Sequence, residues 1–410
     1  MSRAFDGIRV IDFTQVLSGP FLTLQLALLG AEVIKVEPPQ GGDQMRDRML
    51  PSPLAERGMA SAFLALNHSK RSLALDLKDP RGRQIALDLI RTADVVVHNF
   101  RGGVIDRLDL GWDTVRAINP KVVYCALTGY GSTGPKAAEA AYDGAVQAAS
   151  GMMMSNGHES TGPTRTGYFP VDLFTGQAGA FAVTAALFRR ERTGEGQYLD
   201  LAMLDSALAI QAPSVCQYTV DGTLGRLIGN SSATHLPTAD CFPTGDGLVL
   251  MSATMQHHAE AIFDEAGIGH LLQDPRFVDT AARRANAELV RATIVEAFAT
   301  DTAANWAARL GKRGVPIAKV NTMAEAVADP QLAYRGILLD VPPPQGFDEP
   351  MRLTGAPFVA DADGPAAAGP PPVLGQHGDA VLRELGIDEA DIAALRQAGV
   401  VGGPAEQRTD

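Results

Sequence analysis

One pattern constrains this chain more than any other: short β-branched runs alternate with segments whose apolar residues recur at helical spacing. Ile8-Arg9-Val10-Ile11-Asp12-Phe13 reads as a buried strand, because branched side chains fit a pleated surface covered on both faces. Ser18-Gly19-Pro20 punctuates the chain, Phe21 to Leu29 carries helical spacing, and Gly30 stops it. Ala31 to Val36 reads as a second strand, closing a βαβ unit whose crossover is right-handed. The alternation continues through a strand at Ser72–Leu77, a helix opened by Pro80, and a Val-rich strand at Asp94–His98. A helix at Asp113–Ile118 and a strand at Val122–Leu127 follow. Strands alternating with helices require a parallel sheet buried on both sides.

The expected fold is therefore α/β: a doubly wound, Rossmann-like parallel sheet in a large domain, with a smaller α/β domain. Residues 1–200 form the large domain, completed by a C-terminal return over 331–410. A linker helix and loop occupy 201–229, with Leu199–Gln211 read as one long apolar helix. The small domain spans 230–330, with Asp246-Gly247 as a hairpin-type turn before Leu248–Met251. Asp361–Pro372, rich in Ala, Gly and Pro, reads as an extended linker. No internal repeat is visible.

With 410 residues, 46% of them hydrophobic, the chain can bury a sizeable core. A net charge of −12 argues against nucleic acid or an anionic membrane as a partner. A few local cations still suffice for a small anion, since salt confines fields to roughly 8 Å. No run of about 18 consecutive apolar residues appears, so no membrane span is expected. Cys125, Cys216 and Cys241 are odd in number and far apart, which suits a reducing compartment. The first residues lack the apolar core of a secretory signal, and the expected location is the cytoplasm.

Several familiar chemistries find little support. Gly129-Tyr130-Gly131-Ser132-Thr133-Gly134 fits the dinucleotide spacing, but Pro135 and Lys136 follow where a helix should open. No G-x-S-x-G elbow exists for a nucleophilic serine, and no CxxC or HExxH exists for a metal, so none is expected. His257 and His258 are adjacent and on a helix would diverge by about 100°. Basic residues instead gather in Asn67-His68-Ser69-Lys70-Arg71 and Asn99-Phe100-Arg101-Gly102-Gly103, with Arg107 and Lys136 further on. The second group follows a strand, where open α/β sheets bind ligands, though solvated surface charge accounts for the same spacing. Gly167 to Gly176 sets a single carboxylate, Asp172, in an apolar and aromatic run. A carboxylate there is a helix cap, an ion-pair partner or a functional group.

In their order, these segments resemble the class III coenzyme A transferases of the CaiB/BaiF type, the family of formyl-CoA transferase and α-methylacyl-CoA racemase. The matching stretches are Gly7–Thr14, Leu29–Glu37, Asn67–Ser72, Asn99–Gly103, Thr193–Gln197, Met203–Asp205 and Leu374–Asp379, covering nearly the whole chain. The resemblance implies that Asp172 attacks an acyl-CoA carbonyl and that Gln15 lies near the thioester. It implies that Lys70 and Arg71 contact the adenine nucleotide, and that Asn99, Phe100, Arg107 and Lys136 line the coenzyme A site. Pro38-Pro39 stands where some relatives carry a phosphate-binding arginine, leaving the 3′-phosphate contact unassigned. No tightly bound cofactor is implied. The coenzyme A thioester is a substrate, its partners are small carboxylic acids, and the family implies an interlocked homodimer.

Transfer between two acids conserves the thioester and suits a carboxylate nucleophile that forms an anhydride and then an enzyme–CoA thioester. The aspartate must be ionised, so donors or cations should offset its burial, and each intermediate needs oxyanion donors. Gly225–Ser232 and the backbone near Gln15 are the candidates. The racemase branch is the alternative, but it uses a His-Asp pair in a segment that here reads Glu139–Gln147. That segment keeps Asp143 and has no histidine. Met152-Met153-Met154 suits an adaptable acyl pocket or plain core, and Arg165 suits the second carboxylate of a diacid such as succinate.

Overall fold

Six parallel strands frame the larger of two units in the computed structural model, which describes residues 3–48 and 51–404. They are β1 (Arg9–Asp12), β2 (Glu32–Glu37), β3 (Arg71–Ala74), β4 (Val95–His98), β5 (Val123–Thr128) and β6 (Gln197–Ala202). Their order is β3-β2-β1-β4-β5-β6. Val10 in β1 pairs with Val33 on one side and Val95 on the other, so this strand is buried from every direction. The chain winds outward in both senses from β1 and β4. That reversal leaves a crevice beyond their carboxyl ends, the place where such sheets bind ligands.

Period-2 alternation divides the strand side chains between two cores. Ile11, Ile34, Leu73, Val96 and Tyr124 face one side with Ile85 and Leu89 of helix α2 (Pro80–Arg91). Val10, Val33, Val95, Val97 and Cys125 face the other, with Leu22 and Leu26 of α1 (Ser18–Leu28). Asp143–Ala149 forms α3 and Pro170–Thr193 forms α4, which buries Val183 and Leu187 in that second core. At 24 residues α4 is long and apolar enough to cross a membrane, yet half of its most apolar window is buried within the protein, as in a core helix.

The chain returns to this sheet at its far end. Helices α5 (Gly378–Glu384) and α6 (Glu389–Gln397) pack Val381, Leu382 and Ile392 into the first core. The outer strand β3 does not stay open. Ser72 donates its N–H to His377 Nδ1 at 3.0 Å, and His377 donates its own to Ser72 O. Asp76 donates to Val400 O, and Gly402 to Ala74 O.

Two expectations need correction. Leu199–Gln211 is not one helix: Gln197–Ala202 is strand, paired in parallel with β5 from Val123↔Gln197 to Thr128↔Ala202, and the helix starts at Met203. Leu199 and Leu201 pack on one core while Tyr198 packs on the other, so a two-faced edge strand runs straight into an apolar helix and the two periods merge. The helix near Asp172 is also longer than Gln177–Leu187, which places Asp172 inside its first turn.

The smaller unit comprises Met153–Arg165 and Thr223–Pro330, so it begins earlier than the sequence reading and takes in a segment that reading gives to the large domain. Its antiparallel sheet has the order Ile317–Lys319, Leu248–Met251, Cys241–Pro243, with Asp246-Gly247 in the turn between the last two. Phe242, Phe263, Phe298 and Trp306 fill its core. Met153–Arg165 joins through Gly229, which donates its N–H to Gly157 O at 2.8 Å.

Candidate active site

A cavity of roughly 300 Å³ opens beyond β1 and β4. Gln15, Val16, Leu17 and Ser18 line it from the loop after β1, and Asn99, Phe100 and Arg101 from the loop after β4. Thr128, Gly129, Tyr142, Met203 and Asp172 complete much of the wall.

The loop from Phe13 to Leu17 is held from beneath by buried charge. Asp12 accepts from Thr14 N–H at 2.8 Å, from the Thr14 and Thr23 hydroxyls, and from Lys70 Nζ at 3.2 Å. Burial alone would raise the pKa of Asp12, but Lys70, Lys35 and the two hydroxyls outweigh it and hold the carboxyl below its ordinary range. Lys35 Nζ donates to Thr14 O at 2.8 Å and pairs with Asp43 at 2.8 Å. Asp43 also accepts the N–H of Val16 at 3.1 Å. Val16 has φ +71°, a left-handed conformation that strains a β-branched residue by about 1–3 kcal/mol. Asn99 clamps its neighbour on both sides: its Oδ1 accepts from Gln15 N–H at 2.9 Å and its Nδ2 donates to Gln15 O at 2.6 Å. Buried ion pairs and a side-chain clamp thus fix one strained turn.

Asp172 stands opposite as the third residue of α4. Phe169 gives that helix no side-chain cap, so another segment supplies one: Asp143 Oδ2 accepts the N–H groups of Val171 and Asp172 at 2.9 and 3.0 Å. Gln147 donates to the other Asp143 oxygen at 2.5 Å. One turn further along α4, a Cβ at Gly176 would lie 2.5 Å from Ser18 O, so α1 and α4 touch backbone to backbone there. That approach brings the Ser18 hydroxyl onto Asp172, where it donates to Oδ1. Burial raises the Asp172 pKa to about 6, opposed by the Ser18 hydrogen bond and reinforced by the nearby Asp143 charge. No cation among the described residues offsets that burial, in contrast to Asp12. A partly desolvated carboxylate with one oxygen held and an open cavity before it is suited to nucleophilic attack.

The structure sorts the residues singled out from the sequence. Gln15, Asn99, Phe100 and Asp172 meet at the cavity. Phe100 is backed by His98, whose ring stacks on it at 6.0 Å; burial pushes that imidazole down to about 4, so it is neutral. Lys70 and Arg71, expected at the adenine nucleotide, do not line this cavity. Lys70 is buried and gives its donors to Asp12, Pro20 O and Asn67. Arg71 is paired with Glu32 and, at 2.7 Å, with Glu384. Arg107 and Lys136 are exposed, and Lys136 lies 5.2 Å from the Tyr130 ring. Among the described residues neither they nor Arg101 makes an ion pair; Arg101 and Lys136 stand on loops and Arg107 ends the short helix Val104–Arg107. The loops touch: a Cβ at Gly102 would lie 3.0 Å from Ala137 O. Gly129 lines the cavity but opens no helix, since α3 starts only at Asp143, so a dinucleotide fingerprint is absent from this turn. Gly225–Ser232 and Arg165 belong to the smaller unit, and Met153-Met154 with them, while Met152 is core of the larger. Sequence reasoning missed Ser18 and Tyr142 as wall residues; in the sequence the first reads as helix punctuation.

Comparison with known proteins gives a consistent picture. The family model for CoA-transferase family III matches residues 5–378. The chain is 37% identical over 390 residues to a succinyl-CoA:mesaconate CoA-transferase of Haloarcula marismortui, covering 94% of this chain and 97% of that protein. It is 35% identical over 388 residues to an acetyl-CoA:oxalate CoA-transferase of Acetobacter aceti, covering 94% of this chain and 97% of that one. The crystal structure of a CaiB/BaiF family protein from Brucella suis superposes with a TM-score of 0.86 at 32% identity, over 94% of this chain and all of that one.

Proposed function

The chain belongs to CoA-transferase family III, and from that premise we propose that it moves coenzyme A from an acyl-CoA donor to a short carboxylic acid through Asp172. The observation that carries this reading is the state of Asp172: buried, uncompensated by a cation, one oxygen held by Ser18, and open to the cavity that Gln15 and Asn99 line.

In the reaction, one Asp172 oxygen attacks the donor carbonyl, the carbon–sulfur bond breaks, and a mixed anhydride forms as CoA thiolate leaves. The thiolate then attacks the aspartyl carbon, releasing the donor acid and leaving an enzyme–CoA thioester. The acceptor carboxylate repeats these steps in reverse. The thioester is conserved, so no external energy is needed. The cavity takes the thioester end, while the exposed cations Arg101, Arg107 and Lys136 suit the phosphates. The relatives' acids named above, succinate, mesaconate and oxalate, are dicarboxylates, and a short diacid is the acceptor class we assign.

The racemase reading has less support. Asp143 would have to move a proton, but its two oxygens are occupied by the Val171 and Asp172 N–H groups and by Gln147. It serves as the cap of α4.

A second copy of the chain completes the assembly we propose, an interlocked homodimer. Phe174, Phe181 and Phe188 recur every seven residues along α4 and are 39%, 75% and 65% exposed, an apolar stripe that a soluble chain covers with a partner. Sedimentation of Phe181→Asp should give monomer where the wild type gives dimer.

The direct test of the chemistry is trapping. The protein is incubated with succinyl-CoA, treated with hydroxylamine, and digested for mass spectrometry. A hydroxamate at Asp172, absent in Asp172→Asn, supports the covalent route. An unmodified Asp172 across several acyl-CoAs, with solvent deuterium entering the α-carbon of the acyl group, would favour racemisation.

A further inference from the structure

We infer that Ser18 is a catalytic residue whose hydroxyl donates to the one oxygen of Asp172 that the enzyme keeps through every turnover. The inference rests on the covalent reading above and adds to it an assignment of the two carboxylate oxygens.

The two oxygens are not equivalent. Oδ1 accepts the Ser18 hydroxyl, and the helix-capping contacts around Asp172 involve its backbone rather than its carboxylate. Oδ2 is left to attack. When it adds to the donor carbonyl, Oδ2 becomes the bridging oxygen of the anhydride. CoA thiolate then adds to Cγ, and the carbonyl electrons move onto Oδ1. The Cγ–Oδ2 bond breaks, and Oδ2 departs within the product carboxylate. Attack by the acceptor carboxylate on the Cγ thioester again places the charge on Oδ1, expels thiolate and installs an acceptor oxygen as the new Oδ2. Thiolate finally adds to the acceptor acyl carbon and releases Asp172 as a carboxylate. Two of the four additions therefore build an oxyanion on Oδ1, where Ser18 already donates. A donor in place before the charge develops is the arrangement that lowers such barriers.

The scaffold around Ser18 is built for this contact. Ser18 is the first residue of α1 and is buried. Its backbone is fixed on one side by the clamped turn ending at Leu17 and on the other by the contact of Ser18 O with Gly176. The hydroxyl also lowers the Asp172 pKa against the effect of burial.

Oxygen isotope transfer and kinetics test the assignment together. The wild type is turned over many times with an acceptor acid carrying ¹⁸O in its carboxylates, and the Asp172 peptide is weighed. One ¹⁸O at Asp172 is expected, because Oδ1 is retained while Oδ2 is replaced at each cycle. Ser18→Ala should lose about 10²–10³-fold in kcat, the usual effect of deleting one oxyanion donor. Its Asp172 should collect two labels as the freed carboxylate turns over, and its acid limb of kcat/KM should move to higher pH. Ser18→Thr, which keeps the hydroxyl, should recover most of the rate. Melting curves check that both variants fold. Two labels in the wild type would overturn the inference, as would Ser18→Ala with wild-type kcat and one label, even with Asp172 trapped normally. A wild type that takes up no label and forms no hydroxamate would sink the covalent reading and this inference with it.

Discussion

Asp12 and Asp172 are two buried carboxylates in one unit, and their surroundings drive them in opposite directions. Beneath the loop from Phe13 to Leu17, Asp12 is met by two ammonium groups and two hydroxyls, and its carboxyl is held below the ordinary range. In the cavity wall, Asp172 has a single hydroxyl and a neighbouring carboxylate, and its pKa rises to about 6. Burial acts on both alike; what differs is the compensation. The compensated carboxylate is structure, and the under-compensated one keeps the basicity that a nucleophile needs.

The comparison is broken most sharply at Asp172 itself. Asp172→Asn should lower transfer by at least about 10⁴-fold, in the range seen when covalent nucleophiles are deleted. The same variant should melt higher than wild type at pH 8. A carboxyl whose pKa rises on folding disfavours the folded state wherever it is ionised, by about 1.4 kcal/mol for every tenfold loss of acidity. That advantage should vanish below pH 4, where the wild-type group is protonated in both states. Asp12→Asn should act the other way. It leaves Lys70 and Lys35 short of their partner and should lower unfolding free energy by about 3–5 kcal/mol in urea titration. Wild-type stability drawn from Asp12 should persist down through pH 4 and be lost only as pH falls through its depressed pKa.

A third test sharpens the contrast without mutation. Transfer should fall as pH drops through about 6, because Asp172 must be ionised to attack. A rate profile flat from pH 8 to 5 would remove Asp172 from the role. The smallest effect is expected at Asn99, which makes two hydrogen bonds to the backbone of Gln15. Asn99→Ala should lower unfolding free energy by about 1–3 kcal/mol in urea titration, since each bond contributes about 0.5–1.5 kcal/mol, with a modest loss of kcat as the Gln15 turn loosens.

Much of this was readable from the chain alone. The βαβ alternation around Val10 and Val33 specifies a parallel sheet, and a carboxylate in the apolar Gly167–Gly176 run stands out by its cost of burial. Lys70 and Arg71 show why the rest was not. Their charge is visible, but the groups that consume it lie 58 positions earlier, at Asp12, and 313 later, at Glu384. No local pattern separates a cation spent on the fold from one free for a ligand. Ser18 was hidden for a related reason. Its meaning depends on Gly176 letting two helix backbones touch, and a glycine in sequence does not say what approaches it.

The closing of strand β3 has a consequence for how the protein is made. Ser72 waits for His377, which leaves the ribosome 305 residues later. Through most of synthesis the outer edge of the sheet has open N–H and C=O groups, a template for pairing with other chains. Prematurely terminated products keep that edge permanently. Truncation before His377 should therefore give a chain that scatters light more readily than the full-length protein, even with every residue of the cavity present.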